Sequence, residues 1–174
     1  MTIFVGARFL RYGLIAGGLL VVEGAGQAAD PPQTADVLGD LHQADQKEIE
    51  AGMIAQKNGG SQAVRDYGRM LVKDHSAADK KLADLATKEN IDLLASTPAR
   101  GANDMGTMAT GPSFDLKFAQ EMLEDHRKAI AAVNDARDNT NDPQLKKLLG
   151  DLLPTLEKHE SAAEKIIDSQ TKKR

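Results

Sequence analysis

Residues 64–85, VRDYGRMLVKDHSAADKKLADL, decide the fold of this 174-residue chain. The small and apolar side chains of this stretch, together with one histidine, recur at alternating intervals of four and three: Val64, Gly68, Leu71, His75, Ala78, Leu82 and Leu85. This spacing places them along one side of an α-helix, as in the buried seam between helices that pack side by side. The stretch therefore predicts a long helix packed against other helices.

Two later segments repeat this spacing, and each carries one histidine within its seam. The first of these seams contains Ala119, Met122, His126, Ala129, Val133 and Ala136. The second contains Leu145, Leu149, Leu152, Leu156, His159, Ala163 and Ile166. A more polar helix comes first in the chain, and its predicted inward stripe is Leu38, Leu41, Ala44, Gly52 and Ala55, with Asp45 and Glu48 near the centre.

Turn and capping residues set the bounds of these four helices. Asn58-Gly59-Gly60 ends the first helix, Ser113 is the predicted N-cap of the third, and Asp142-Pro143 opens the fourth. The predicted helices span residues 34–57, 61–89, 113–138 and 143–170, with a long loop at 91–112. Two short turns and one long connection predict an all-α, ferritin-like four-helix bundle of two antiparallel helical hairpins joined by a long crossover.

The composition agrees with an all-α chain and excludes several kinds of site. Only 3% of the residues are aromatic, whereas 41% are hydrophobic and 28% are charged. So few aromatic residues argue against a β-sandwich. The chain has no cysteine, which excludes disulfides, thiolate zinc sites, iron–sulfur clusters and covalently attached haem. Its net charge of −4 argues against nucleic-acid binding.

The N-terminal residues resemble a secretory signal. Arg8 and Arg11 precede an apolar run at 14–22, and small residues follow at 25–29. We predict a signal peptide at 1–28, cleaved after Ala28 or Ala29, and a single domain at 29–174. The alternative is an uncleaved N-terminal anchor. The expected location is the periplasm, with no stable membrane span after cleavage; peripheral association with the outer membrane stays open.

The inward polar side chains form a candidate metal site. Glu48, His75, His126 and His159 are predicted to point into the bundle, one from each helix. Buried charges and imidazoles are costly unless they are paired, hydrogen-bonded or metal-bound. Nitrogen and oxygen ligands suit Fe, Mn, Zn or Cu. Asp45 and Asp79 are possible additional ligands or partners of the ligands.

The alternative is that these histidines are hydrogen-bonded core residues, paired across the bundle with Glu48, Asp45 or Asp79. A ferritin-type site needs a glutamate three residues before a histidine on two helices. The positions three residues before the four histidines hold no acid, being Gly39, Val72, Leu123 and Leu156. Asp74 and Asp125 each precede a histidine, but adjacent helical positions diverge, so we expect both to be solvated or paired with lysines. No catalytic residues are predicted.

A set of short motifs resembles a known bacterial family. The motifs are Glu48-Ile49-Glu50-Ala51-Gly52, Val64-Arg65-Asp66-Tyr67, Asp74-His75, Phe114-Asp115, Asp125-His126 and Leu153-Pro154-Thr155-Leu156 with His159. They resemble an exported domain-of-unknown-function family labelled "predicted outer membrane protein" and grouped with ferritin-like folds. The resemblance covers residues 36–167 and implies that Glu48, His75, His126 and His159 are the family's signature polar positions. That family usually has tyrosine where this chain has Phe118.

Two functions from different classes follow from these features. The first is an exported bundle that binds a transition metal in its core, for metal handling or defence against oxidative stress. The second is a non-enzymatic structural or interaction module of the cell envelope, with hydrogen-bonded histidines and no metal. In either case the expected macromolecular partner is an envelope protein or a second copy of the chain.

Overall fold

The computed structural model describes residues 33–93 and 110–172. The predicted signal peptide at 1–28 and most of the predicted loop at 91–112 lie outside these residues. Four helices follow one another along the chain: α1 (Thr34–Asn58), α2 (Gln62–Glu89), α3 (Pro112–Asn139) and α4 (Pro143–Thr171). Each bound lies within one residue of the position predicted from the sequence.

Capping side chains begin two of the helices. The Ser61 hydroxyl accepts a hydrogen bond from the Val64 N–H at 3.3 Å at the start of α2. The Asp142 carboxylate accepts from the backbone N–H groups of Gln144 and Leu145 at the start of α4. The predicted cap of α3 is wrong: α3 begins before Ser113, because Gly111 adopts a φ of 89° and Pro112 occupies the first turn.

Hydrogen bonds between the helix ends establish the directions of the four helices. The turn between α1 and α2 lies beside the start of α3, where Asp115 accepts from the N–H groups of Gly60 (2.7 Å) and Ser61 (2.8 Å). At the opposite end the Thr34 hydroxyl donates to Asp142 at 2.9 Å. Therefore α2 and α3 run in the same direction, and the end of α2 lies about 40 Å along the bundle from the start of α3.

This arrangement confirms the predicted all-α bundle of two antiparallel hairpins, α1 with α2 and α3 with α4, packed together. Among the described residues there is no strand, and Gly59 and Gly111 form an isolated β-bridge. No helix in residues 33–93 and 110–172 is both long enough and apolar enough to cross a membrane.

The predicted seams are mostly buried. All seven seam residues of α2 are buried. In α3 and α4 the seams are also buried, except that Ala129 and Leu156 are half-buried. The stripe predicted for α1 is wrong at Ala44, which is exposed. Asp45 is buried in its place, because its carboxylate bonds to His75 and so sets the rotation of α1.

The apolar core is divided into two clusters along the bundle. One cluster lies where α1 and α4 begin and includes Leu38, Leu82 and Leu149. The other lies at the opposite end. The two clusters are separated by a layer of buried polar side chains, one from each helix: Asp45, His75, His126 and His159.

A close approach of two backbones brings α1 against α2 beside this polar layer. A Cβ atom on Gly68 would lie 2.5 Å from the carbonyl oxygen of Gly52, and one on Gly52 would lie 2.7 Å from the carbonyl oxygen of Gly68. Real side chains do not tolerate such distances, so both positions require glycine at this spacing. This contact holds the polar part of α1 against His75.

Candidate metal centre

Three histidines from three helices meet in the polar layer. His75 on α2, His126 on α3 and His159 on α4 have exposed fractions of 5%, 1% and 0%. Each offers a ring nitrogen within 4.8 Å of the nitrogens offered by the other two. The ring centroids of His159 lie 5.1 Å from those of both His75 and His126. The cluster thus joins three of the four residues that the sequence predicted as ligands.

The outward-facing nitrogen of each ring has an oxygen partner. Nδ1 of His75 lies 2.7 Å from Oδ1 of Asp45. Nδ1 of His126 lies 2.8 Å from the carbonyl oxygen of Met122, one turn earlier on α3. Nε2 of His159 lies 3.1 Å from Oδ2 of Asp74.

These partners determine which ring nitrogens carry hydrogen. A carbonyl or a carboxylate oxygen accepts hydrogen bonds and does not donate them, so the outward nitrogen of each ring is the donor. A neutral imidazole has a single N–H. In their neutral forms the three rings therefore present the lone pairs of their inward nitrogens to one another. In metalloproteins a ligating histidine likewise donates its other N–H to a carboxylate or a carbonyl, which fixes its tautomer.

No hydrogen compensates these inward lone pairs. Nε2 of His75 is buried and has no hydrogen-bond partner. Nε2 of His126 lies 3.1 Å from Nδ1 of His159. Burial lowers the pKa of His126 to about 3 and that of His159 to about 4, so neither ring gains a second proton at neutral pH. The centre of the cluster is an electron-rich position that suits a cation.

Glu48 lies beside the histidines but is not in the group whose ligand atoms are within 4.8 Å of one another. Its Oε2 atom is buried and has no hydrogen-bond partner. Burial raises the pKa of Glu48 to about 7; the charge of His75 lowers it, and the charges of Asp125 and Asp45 raise it. A four-ligand site that includes Glu48 stays a prediction.

Asp45 is hydrogen-bonded to His75 and is not one of the residues whose ligand atoms form the cluster. One of its oxygens bonds to His75, and the other, Oδ2, is buried without a partner. Burial raises the pKa of Asp45, although the hydrogen bond with His75 opposes this effect. Burial lowers the pKa of His75, but the hydrogen bond that His75 donates to Asp45 and the charge of Glu48 outweigh this effect, so the pKa lies above its usual value.

Asp79 and the fourth histidine form a separate pair. Nδ1 of His42 lies 2.5 Å from Oδ1 of Asp79, and the Gln46 amide donates to Oδ2 of Asp79 at 2.8 Å. The structure does not bring Asp79 to the three-histidine cluster. His42 likewise lies outside the cluster.

Asp74 is a site residue that the sequence did not identify. We expected it to be solvated or paired with a lysine, and the Lys158 ammonium does donate to its Oδ2 at 2.9 Å. The same oxygen also faces His159 across the α2–α4 seam. Partial burial raises the pKa of Asp74, but the hydrogen bonds from Lys158 and His159 lower it below its usual value. The sequence signal that could have identified Asp74 is its position next to His75, together with the position of Lys158 next to His159. These neighbours place Asp74 and Lys158 near the seam in which the two histidines lie.

An aromatic layer covers the cluster on one side. The buried Tyr67 hydroxyl donates to the carbonyl oxygen of His159 at 3.1 Å. Its ring makes edge contacts with Phe118 and with the imidazole of His159, at centroid distances of 6.0 Å and 6.3 Å. Burial, and secondarily the charge of Glu48, raises the pKa of Tyr67, so its hydroxyl stays protonated and fixes α2 to α4 beside the cluster.

The donor set defines the ions that this cluster can hold. Imidazole nitrogens with a nearby carboxylate suit Zn, Cu, Fe and Mn. Zinc–nitrogen bonds of about 2.0–2.1 Å place neighbouring tetrahedral ligands about 3.3 Å apart. His126 and His159 already have this separation, at 3.1 Å. The absence of cysteine from the sequence excludes an iron–sulfur cluster and covalent haem.

Comparison with models of known protein families assigns the chain to one family. A family model described as "Domain of unknown function (DUF4142)" matches residues 21–166, which span all four helices except the end of α4. Neither a search of curated proteins nor a search of solved structures gave a significant match. The family match includes every residue of the histidine cluster and its hydrogen-bond partners. The chain therefore belongs to the DUF4142 family.

Proposed function

We propose that this protein is an exported, ferritin-like bundle that binds one transition-metal ion through His75, His126 and His159. The observation that carries the proposal is the pattern of hydrogen bonds around the three rings. Each outward nitrogen lies on an oxygen acceptor, and the inward nitrogens of the three rings converge with no acceptor or donor from the rest of the protein between them. A bound metal ion supplies the missing positive charge and completes the layer between the two apolar clusters.

Glu48 is the proposed fourth ligand. Its buried, unpartnered oxygen and the charge that it exerts on His75 support this role. A neutral, protonated Glu48 is favoured while the site is empty, because its pKa is raised to about 7. A metal ion beside it reverses this preference, since an opposite charge stabilises the carboxylate.

Export and periplasmic location are part of the same proposal. Arg8 and Arg11, the apolar run at 14–22 and the small residues at 25–29 support a cleaved signal peptide. The parallel directions of α2 and α3 support a ferritin-like origin. In the periplasm such a protein would handle a metal ion or protect against oxidative stress. The "outer membrane" label of similar proteins supports at most a peripheral association with that membrane.

Metal analysis of untagged protein tests this function. After incubation with Zn, Cu, Fe or Mn and removal of free metal, we expect about one ion per chain in the wild type. His75→Ala and His159→Ala should each abolish stoichiometric binding. His42→Ala is the matched control, because His42 bonds to Asp79 and lies outside the cluster. Absence of metal from the wild type after reconstitution with all four ions would overturn the proposal.

A second candidate function is a metal-free structural module. It is favoured by one observation: hydrogen bonds of the histidines connect neighbouring helices. The bond between Asp45 and His75 joins α1 to α2. The bond between Asp74 and His159 joins α2 to α4. In that case His159→Ala should lower the free energy of unfolding of the metal-free protein without any metal being bound by the wild type. The same set of variants therefore separates the two functions.

A further inference from the structure

The surroundings of the cluster differ from one helix seam to the next. At the α2–α4 seam the Lys158 ammonium donates to Asp74, whose carboxylate also contacts the outward nitrogen of His159. Lys158 and His159 both donate to Oδ2 of Asp74, so this carboxylate attracts an approaching cation less than a carboxylate without such donors. At the α1–α2 seam the backbones of Gly52 and Gly68 are in contact, and Asp79 is held by His42 and Gln46.

The seam between α1 and α3 differs from these two seams in its packing and in its carboxylates. Its packing is the sparsest of the four adjacent seams. Three carboxylates lie along it: Glu121 and Asp125, one turn apart on α3, and Glu48 on α1. On α3, Arg127 pairs with Glu160 and Glu164 of α4, so Asp125, on the opposite flank of His126, faces α1. The charge of Asp125 accordingly acts on Glu48.

These carboxylates become less exposed toward the interior. The Glu121 side chain is 29% exposed and pairs with Lys117 at 3.6 Å. Asp125 is half-buried, and Oε2 of Glu48 is fully buried without a partner. Beyond Glu48 lies His75, whose side chain is almost completely buried and whose Nε2 is also without a partner. The acidic row therefore ends at two unpartnered atoms that can bind a cation.

The row itself is not a binding site. In the described parts of the chain, the three histidines are the one group of three potential ligands whose atoms lie within 4.8 Å of one another. Carboxylates that are too far apart to share an ion still attract it, and acidic lining speeds the association of cations by raising their local concentration.

We propose that Glu121, Asp125 and Glu48 form the access route by which a divalent cation reaches the histidine cluster through the α1–α3 seam. This inference rests on the proposed metal-binding function. The residue that defines the route is Asp125, because it is adjacent to His126 in the sequence and faces α1, where Oε2 of Glu48 is buried without a partner. Removal of its charge should slow the arrival of the cation, while the three histidine ligands remain in place.

The test is the rate of Co²⁺ binding to the full chain, followed by visible absorbance after rapid mixing. Asp125→Asn should lower the association rate constant about three- to tenfold at low salt. Glu124→Gln is the matched control: it removes one charge from the neighbouring position, where Glu124 is exposed and paired with Lys128, and should change the rate much less. The difference between the two variants should narrow as salt is added, because salt screens exposed charges.

Stoichiometry separates this inference from the function on which it rests. If wild type and both variants bind one Co²⁺ per chain and associate at the same rate, the access route is overturned and the metal site stands. If the wild type binds no Co²⁺ or Zn²⁺, the metal site is overturned and the route with it. Slower association in Asp125→Asn alone, with circular dichroism equal to that of the wild type, supports the route.

Discussion

Nε2 of His126 lies 3.1 Å from Nδ1 of His159, and this contact lacks a hydrogen. The two rings take part in three consecutive contacts: to the Met122 carbonyl, to each other and to Asp74. Two neutral imidazoles supply two hydrogens, and the oxygen acceptors at either end use both. The inner contact is therefore unfavourable until a proton or a metal ion occupies it, and burial lowers the pKa of both rings, which disfavours the proton.

The first prediction concerns the tautomers of these rings in the metal-free protein. Nitrogen-15 NMR at neutral pH should show His126 with its hydrogen on Nδ1 and His159 with its hydrogen on Nε2, because those atoms face oxygen acceptors. Addition of Zn²⁺ should shift the resonances of the two inward nitrogens. A hydrogen on Nε2 of His126 in the metal-free protein would show that the inner contact is an ordinary hydrogen bond.

The second prediction concerns Asp74, which orients His159. Asp74→Asn should weaken metal binding about 10- to 100-fold, the usual effect of removing a hydrogen-bond partner of a metal-ligating histidine. Asp84→Asn is the control, since Asp84 is on the same helix, is exposed and pairs with Lys80. Competition with a chelator measures both affinities. Equal affinities of the two variants would remove Asp74 from the site.

The third prediction is a fall in metal affinity as the pH is lowered below about 7. Protons compete with the metal for its ligands. The pKa of Glu48 is raised to about 7, so Glu48 takes up a proton as the pH falls below neutral. The pKa of His75 also lies above its usual value, which adds to the competition. His126 and His159, with pKa values of about 3 and about 4, do not take up protons near neutral pH.

The number of competing protons makes this prediction specific. The logarithm of the affinity should rise with pH with a slope between about one and two below neutral pH: one proton from Glu48, and up to one more from His75. Zn²⁺ titrations at a series of pH values measure the slope. A slope of zero would mean that neither group is coupled to the metal, and a slope of three or more would mean that His126 or His159 also titrates there.

The fourth prediction tests the close contact of α1 with α2. Gly68→Ala should lower the free energy of unfolding by about 1–3 kcal/mol, because the added Cβ would overlap the Gly52 carbonyl oxygen. Gly150→Ala should instead raise it by about 0.5–1 kcal/mol, since the nearest atom to an added Cβ is 4.0 Å away and alanine favours the helix. Urea denaturation measures both. Stabilisation by Gly68→Ala would contradict the close packing of these backbones.

The sequence predicts the helices well because their signals are local. The seam of α2 recurs over seven positions, and the turns contain the residues that end or begin a helix, such as Gly59 and Pro143. The rotation of α1 was harder to predict, since a small apolar residue such as Ala44 gains little from burial. The hydrogen bond between Asp45 and His75 decides that rotation, and it depends on the neighbouring helix.

The candidate site was predictable in its residues and not in its hydrogen bonds. Three histidines in three inward seams point into one bundle, and the structure brings them to a common height, which the seam pattern alone does not require. The partner of His159, however, is Asp74 on another helix, and its neighbour Lys158 shares the same carboxylate oxygen. Such contacts depend on the stagger and tilt of the helices, to within a fraction of a helical turn, and helical periodicity does not contain that information.

X-ray absorption by bound Zn²⁺ is the most direct test of the metal centre. The spectrum of the loaded protein should show three imidazole ligands at about 2.0–2.1 Å, together with an oxygen ligand at about 2.0–2.2 Å. His126→Ala should remove one imidazole or abolish binding, and His42→Ala should leave the spectrum unchanged. A spectrum with no imidazole or a single one, or an imidazole signal that is lost in His42→Ala, would contradict a metal centre built from His75, His126 and His159.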